Sequence, residues 1–130
     1  MPARSEFLDH VVEMMRPFGA VAPRPMFGGW GLYREGLFFA LVFDDTLYLK
    51  ADDGNAPDFE AEGLEAFVFE SRNTGETILT SYRRAPPEAL ESPEVMAHWA
   101  RGAYGAALRK EQARRPRGRR PPRKPPDGGM

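Results

Sequence analysis

The chain has 130 residues, 42% hydrophobic and 28% charged, which fits one globular domain with little to spare. It has no cysteine, which excludes disulfides, thiol nucleophiles and Cys-ligated zinc, and only two histidines, His10 and His98, from which to build a metal centre. The longest apolar run, Leu37 to Phe43, has seven residues against the roughly 20 of a membrane helix, and the first residues carry no apolar signal core. A cytoplasmic protein with no membrane contact is therefore expected.

The formal net charge of −1 conceals a division. Residues 1–108 hold nine Lys/Arg and 17 Asp/Glu, whereas residues 109–130 hold nine Lys/Arg and two Asp/Glu, together with five of the 13 prolines. This predicts an acidic folded body over 1–108 and a disordered Arg/Pro-rich tail over 109–130, because the tail has too little apolar surface to offset the entropy of ordering it.

In chain order, Ser5 caps a first helix with Phe7, Leu8, Val11, Val12 and Met15 on one face, ended by Pro17 and Gly19. After a lead-in containing Pro23 and Pro25, Met26 to Arg34 reads as one glycine-loosened strand. Glu35-Gly36 turns into Leu37 to Phe43, and Asp44-Asp45 turns again into Thr46 to Ala51. Asn55 caps a short helix with Pro57 in its first turn, which Gly63 stops. Phe67 to Glu70 and Thr77 to Arg83 are two further strands joined by Asn73-Thr74-Gly75. Ser92-Pro93-Glu94 opens a last helix with Val95, Met96, Trp99, Ala103 and Ala106 as its apolar stripe. The expected fold is α+β, a five-strand antiparallel sheet with helices in the order α-β-β-β-α-β-β-α.

Strand Leu37 to Phe43 is apolar throughout. Strict alternation places Leu37, Phe39, Leu41 and Phe43 on one face and Phe38, Ala40 and Val42 on the other, so both faces want cover. Helices on one side supply one cover. A second protomer, giving a homodimer, or residues of the same chain curling round supply the other, and the sequence leaves both open.

Candidate chemistry is sparse. Gly28-Gly29-Trp30-Gly31 lacks the GK[ST] ending or GxGxxG spacing of a phosphate loop and precedes a strand, so close backbone or ring approach explains it better. Asp52, Asp53, Asn55 and Asp58 offer oxygens for calcium, but Gly54 falls too early for an EF-hand and Leu64 occupies the twelfth position counted from Asp53. Turn and capping chemistry accounts for them. His10 has Asp9 and Glu13 nearby but reads as a surface residue, and His98 as a partly exposed helix residue. None of Ser5, Ser71, Ser81 or Ser92 sits in a nucleophile elbow. Lys50 faces outward or toward the partly apolar second face. No catalytic residue, cofactor or metal is therefore expected. In the tail, Arg109, Lys110, Arg114, Arg115, Arg117, Arg119, Arg120, Arg123 and Lys124 are dense enough to neutralise several phosphates of DNA or RNA without sequence preference. A soluble extension with no binding role reads equally well.

The run Arg24-Pro25-Met26-Phe27-Gly28-Gly29-Trp30-Gly31-Leu32-Tyr33, followed by Leu47-Tyr48-Leu49-Lys50-Ala51-Asp52, resembles the N-terminal domain of the TfoX/Sxy family. The likeness continues through Pro57-Asp58-Phe59, Phe67, Ser81-Tyr82 and Pro86 to Trp99-Ala100-Arg101, roughly residues 4 to 108. It implies a fold similar to type III secretion chaperones, no enzyme activity, and regulation of natural competence through a protein partner, a transcription factor of the cyclic-AMP receptor kind. Full-length competence regulators have a second domain where this chain has its basic tail. Carried over residue by residue, Arg24, Met26, Phe27, Tyr33, Tyr48 and Lys50 form the candidate interaction surface. The alternative is a small-ligand-binding protein or enzyme that uses the open sheet face near Tyr33, Tyr48 and Lys50.

Overall fold

Helix α1 (Glu6–Met14) starts where expected, the Ser5 hydroxyl accepting the Leu8 N–H at 3.0 Å. A computed structural model describes residues 5–26, 28–70 and 74–114. From α1 the chain enters β1 (Ala22–Met26), β2 (Gly29–Arg34), β3 (Leu37–Phe43) and β4 (Thr46–Lys50), then α2 (Ala56–Ala61), β5 (Ala66–Glu70) and β6 (Thr77–Arg84). A 3-10 turn over Pro87–Leu90 leads to α3 (Pro93–Arg114). The sheet is antiparallel with strand order β1-β2-β3-β4-β6-β5.

The α+β class and the antiparallel sheet are as expected, but the sheet has six strands rather than five. The supposed lead-in is β1, and the single strand expected from Met26 to Arg34 is a β1–β2 hairpin that reverses at Gly28, φ +81°. Pro23 and Pro25 stand two residues apart, so both missing N–H groups fall on the same side of the strand. An edge strand has one side that needs no donors, and β1 is the edge. The next two turns match expectation. Glu35-Gly36 and Asp44-Asp45 all have positive φ, the conformation that two-residue hairpins demand. Asn73 and Ser71 lie outside the described residues.

The face assignment in β3 needs a second correction. The β2–β3 register shifts between Leu32 and Tyr33: Leu32 pairs Ala40 and Tyr33 pairs Phe38, leaving Phe39 as the extra residue of a bulge. Phe39 and Ala40 therefore both enter the helix-side core, with Leu32, Val42, Leu47 and Leu49. Phe38, Leu41 and Phe43 go to the opposite face. Alternation alone cannot show this, since one inserted residue inverts the order for everything beyond it.

α1 and α3 cover the helix side. Leu8, Val11 and Met15 of the first helix segment and Met96, Ala97, Ala100, Ala103 and Ala107 of α3 are buried there. Small residues on α3 leave room for large ones on the sheet, and Phe39 packs edge-on against Tyr104 and tilted against Phe18, with centroids 5.9 and 5.3 Å away. His10 is a surface residue with a structural contact, its Nε2 donating to the Leu90 carbonyl at 2.7 Å. Among the described residues, no helix is long and apolar enough to cross a membrane.

α3 extends to Arg114, so residues 109–114, expected in a disordered tail, are helical. Arg109 explains part of this: its Nε and Nη2 donate to the Asp52 carboxylate at 2.6 and 2.7 Å, tying the helix to the β4–α2 loop. Residues 115–130 lie outside the described residues.

A candidate interaction surface on the open sheet face

The side of the sheet away from the helices is aromatic. Two strips cross it. In one, the Arg24 guanidinium lies 4.6 Å from the centre of the Tyr33 ring, Tyr33 stacks on Phe38 at 5.2 Å, and Phe38 meets Tyr82 at 5.4 Å. Lys50 closes that strip, its ammonium 5.1 Å from the Tyr82 ring centre. In the other strip, Phe67 meets Tyr48 at 4.7 Å and Phe43 at 5.6 Å. Leu41, Phe67 and Tyr82 are buried among their neighbours, whereas Tyr33, Phe38, Phe43 and Tyr48 are half-buried. The last turns of α3 border this face at the strand ends beside Phe38, Lys50 and Tyr82, and the cluster packed on it draws its described members from strands alone.

Glycine makes the face possible. A Cβ at Gly31 would meet the Met26 sulfur and the Phe38 ring, both 3.1 Å away, and one at Gly29 would collide with the Val42 carbonyl. The run Gly28-Gly29-Trp30-Gly31 is thus a turn followed by a strand with two tight approaches, and Trp30 goes to the helix-side core.

Lys50 is 6% exposed, and its Nζ donates to the Ser81 hydroxyl at 2.6 Å. Burial lowers its pKa from the ordinary lysine value, Lys110 lowers it further, and Asp52 opposes both. Burial likewise pushes the Tyr82 phenol up, with Tyr33 adding to the effect. Asp52 is held below the usual carboxylate range, chiefly by its hydrogen bonds from Arg109, and Arg109 is raised in turn.

A family model of the TfoX N-terminal domain matches residues 13–107, most of the described body. The chain belongs to this family. It is also similar to DNA transformation protein TfoX1 of Aliivibrio fischeri, 31% identical over 74 residues, which is 57% of this chain and 35% of that protein. The chain thus spans about a third of the length of that relative.

Within this TfoX N-terminal domain, the structure gathers Arg24, Met26, Tyr33 and Lys50 on or beside the first strip and puts Tyr48 in the second. Phe27 lies outside the described residues. Sequence reasoning missed Phe38, Phe67 and Tyr82 as surface residues. Strict alternation puts Phe38 on the same face as Ala40 and Val42, and the bulge separates them. Among the basic residues, Arg109 is committed to Asp52, whereas Arg114 stays exposed and makes one contact through Nη2 with Glu111 at 2.9 Å. Lys110 shares the last turns of α3 with them, while Arg115, Arg117, Arg119, Arg120, Arg123 and Lys124 lie outside the described residues.

The acidic loop is structural. Asp52 Oδ1 accepts the Gly54 N–H at 2.9 Å, and Asn55 Oδ1 accepts the Asp52 N–H at 2.7 Å. Asn55 occupies the cap position of α2 but makes no capping bond with its side chain. Its amide instead donates to the carbonyls of Lys50 at 3.1 Å and Gly102 at 3.2 Å, joining β4 to α3.

Proposed function

We propose that this TfoX N-terminal domain acts by association rather than catalysis, as a regulatory module connected with DNA transformation. The folded body docks a protein through its aromatic sheet face, and the basic segment beyond α3 adds salt-sensitive affinity for nucleic acid. The observation that supports this reading is the open face itself. Tyr33, Phe38, Phe43 and Tyr48 form one half-buried aromatic surface with no helix over its centre among the described residues, flanked by Arg24 and Lys50. Aromatic side chains and arginine are what protein interfaces concentrate, with charged groups such as lysine kept to the rim. The family resemblance makes a transcription factor of the cyclic-AMP receptor kind the partner to try first.

The test is a titration of that factor on promoter DNA with the full chain and with Phe43→Ser/Tyr48→Ser. The expected result is a ternary complex that the double variant weakens at least tenfold, a loss typical of interface anchors. A complex that the variant leaves unchanged would overturn docking on this face. Light scattering on the free chain separates the remaining occupant. A mass double the monomer's 14.6 kDa that Phe43→Ser/Tyr48→Ser reduces to one copy would assign the face to self-association instead.

A further inference from the structure

Where the end of α3 meets the strand ends, a cleft of about 360 Å³ opens beside the aromatic strip. Four elements build it: Leu37 and Phe38 from β3, Lys50 from β4, Tyr82 from β6, and Ala107, Lys110 and Arg114 from α3. Its size falls at the lower end of ordinary ligand sites, which run from about 300 to 1,000 Å³. Three cations line it against one carboxylate, Glu111, which Arg114 already engages.

Lys50 is the anomaly. The residue is only 6% exposed, yet among the described residues its one hydrogen bond is to the neutral Ser81 hydroxyl, and no carboxylate lies within ion-pair distance of it. Asp52, two residues away, is taken by Arg109. A desolvated charge with no direct ion pair costs stability, and burial together with the nearby Lys110 lowers the pKa of Lys50 more than Asp52 restores it. Lysine carries three donors, so two remain after Ser81 is served. An anion entering the cleft meets them together with Lys110 and Arg114. The same cleft is lined by the apolar surfaces of Leu37 and Phe38 from the sheet and by Ala107, one turn before Lys110 on α3, which suit a flat ring rather than a second charged group.

We propose that this cleft binds a phosphate carried on a flat ring, the phosphate held by Lys50, Lys110 and Arg114 and the ring laid against Leu37, Phe38 and Ala107. The chemistry is that of a nucleotide, either free or at the 5′ end of a strand. The cleft shares Phe38, Lys50 and Tyr82 with the edge of the docking face but is distinct from the basic segment beyond α3, and its test uses small probes and no protein partner, so its failure and that of the proposed function are told apart.

Isothermal titration of the full chain tests it with three probes: AMP, a 5′-phosphorylated tetrathymidylate, and inorganic phosphate. AMP or the oligonucleotide should bind at least about tenfold tighter than inorganic phosphate, since only they contact the apolar wall. Lys50→Met should weaken that binding at least about tenfold, the scale of a lost charge-assisted hydrogen bond. Lys110→Ala/Arg114→Ala, at exposed positions where folding is not at risk, should weaken it about threefold or more, and Glu111→Gln should strengthen it about twofold. Equal binding of AMP and oligonucleotide identifies the free nucleotide as sufficient; binding of the oligonucleotide alone assigns the strand end. Failure of both probes, or binding that neither Lys50→Met nor Lys110→Ala/Arg114→Ala changes, overturns the site. Salt-dependent binding of long DNA should persist in Lys50→Met in every case, which separates this test from that of the basic segment.

Discussion

The ammonium of Lys50 spends folding free energy that a methionine would not. Replacing it by Lys50→Met removes a desolvated charge while keeping the stem that packs beside Tyr82, so stability should stay level or rise by up to about 1 kcal/mol in urea unfolding. A loss of 2 kcal/mol or more would show that the charge supports the fold. The pH sign follows from the lowered pKa: between the folded value and the ordinary lysine value near 10.5, the unfolded chain binds more protons, so stability rises with pH across that window, and Lys50→Met should remove the rise. Asp52 works the other way. Its depressed pKa contributes stability that is present above the unfolded carboxylate range and lost as pH falls through the lower folded value. The gap between wild type and Asp52→Asn, about 1 kcal/mol near neutrality for a bidentate but partly exposed pair, should therefore close as acidification carries the pH below the usual carboxylate range and through the lower folded value. Asn55 carries more than either. Asn55→Ala strips partners from the Lys50 and Gly102 carbonyls and the Asp52 N–H, and should cost about 2–4 kcal/mol, measured by chemical unfolding.

Among the elements, α3 matters most for where the folded body ends. Ending the chain after residue 108 removes Arg109 and the wall of the cleft, whereas ending it after residue 114 keeps both. Residues 1–114 should melt within about 1 °C of the full chain, and residues 1–108 roughly 4 °C lower, a shift that thermal unfolding resolves. That boundary was not legible in composition, because Arg109 and Lys110 look like the start of a basic run until Asp52 is placed opposite. Other elements were readable from local chemistry alone. The Ser5 and Ser92 caps and the turns Glu35-Gly36 and Asp44-Asp45 depend only on residues near in sequence, and they stand where expected. β1 was hidden by its prolines, which rule out a central strand but not an edge. The β3 bulge was hidden for a deeper reason: it belongs to the pairing with β2 and leaves no mark in β3 itself. Of the candidate surface, Arg24, Met26, Tyr33, Tyr48 and Lys50 came from the family resemblance, while Phe38, Phe67 and Tyr82 required the register.

For the whole molecule, the central claim is a division of labour between an acidic folded body and the basic residues that follow α3. Charge separation on this scale lets one end of a chain attract phosphates while the other repels them. Belonging to the TfoX N-terminal domain family explains the body, and matching only about a third of a DNA transformation protein leaves the contribution of the basic end to experiment. The measurement that decides it is binding of a labelled duplex DNA, followed by anisotropy from about 50 to 200 mM salt, for the full chain and for residues 1–114. The full chain should bind with log K falling steeply against log salt, losing on the order of 10³-fold across that range if about six phosphates are contacted, and residues 1–114 should lose both the affinity and the slope. Equal affinity and equal slope for the two chains would contradict the division and move nucleic-acid binding onto the folded body.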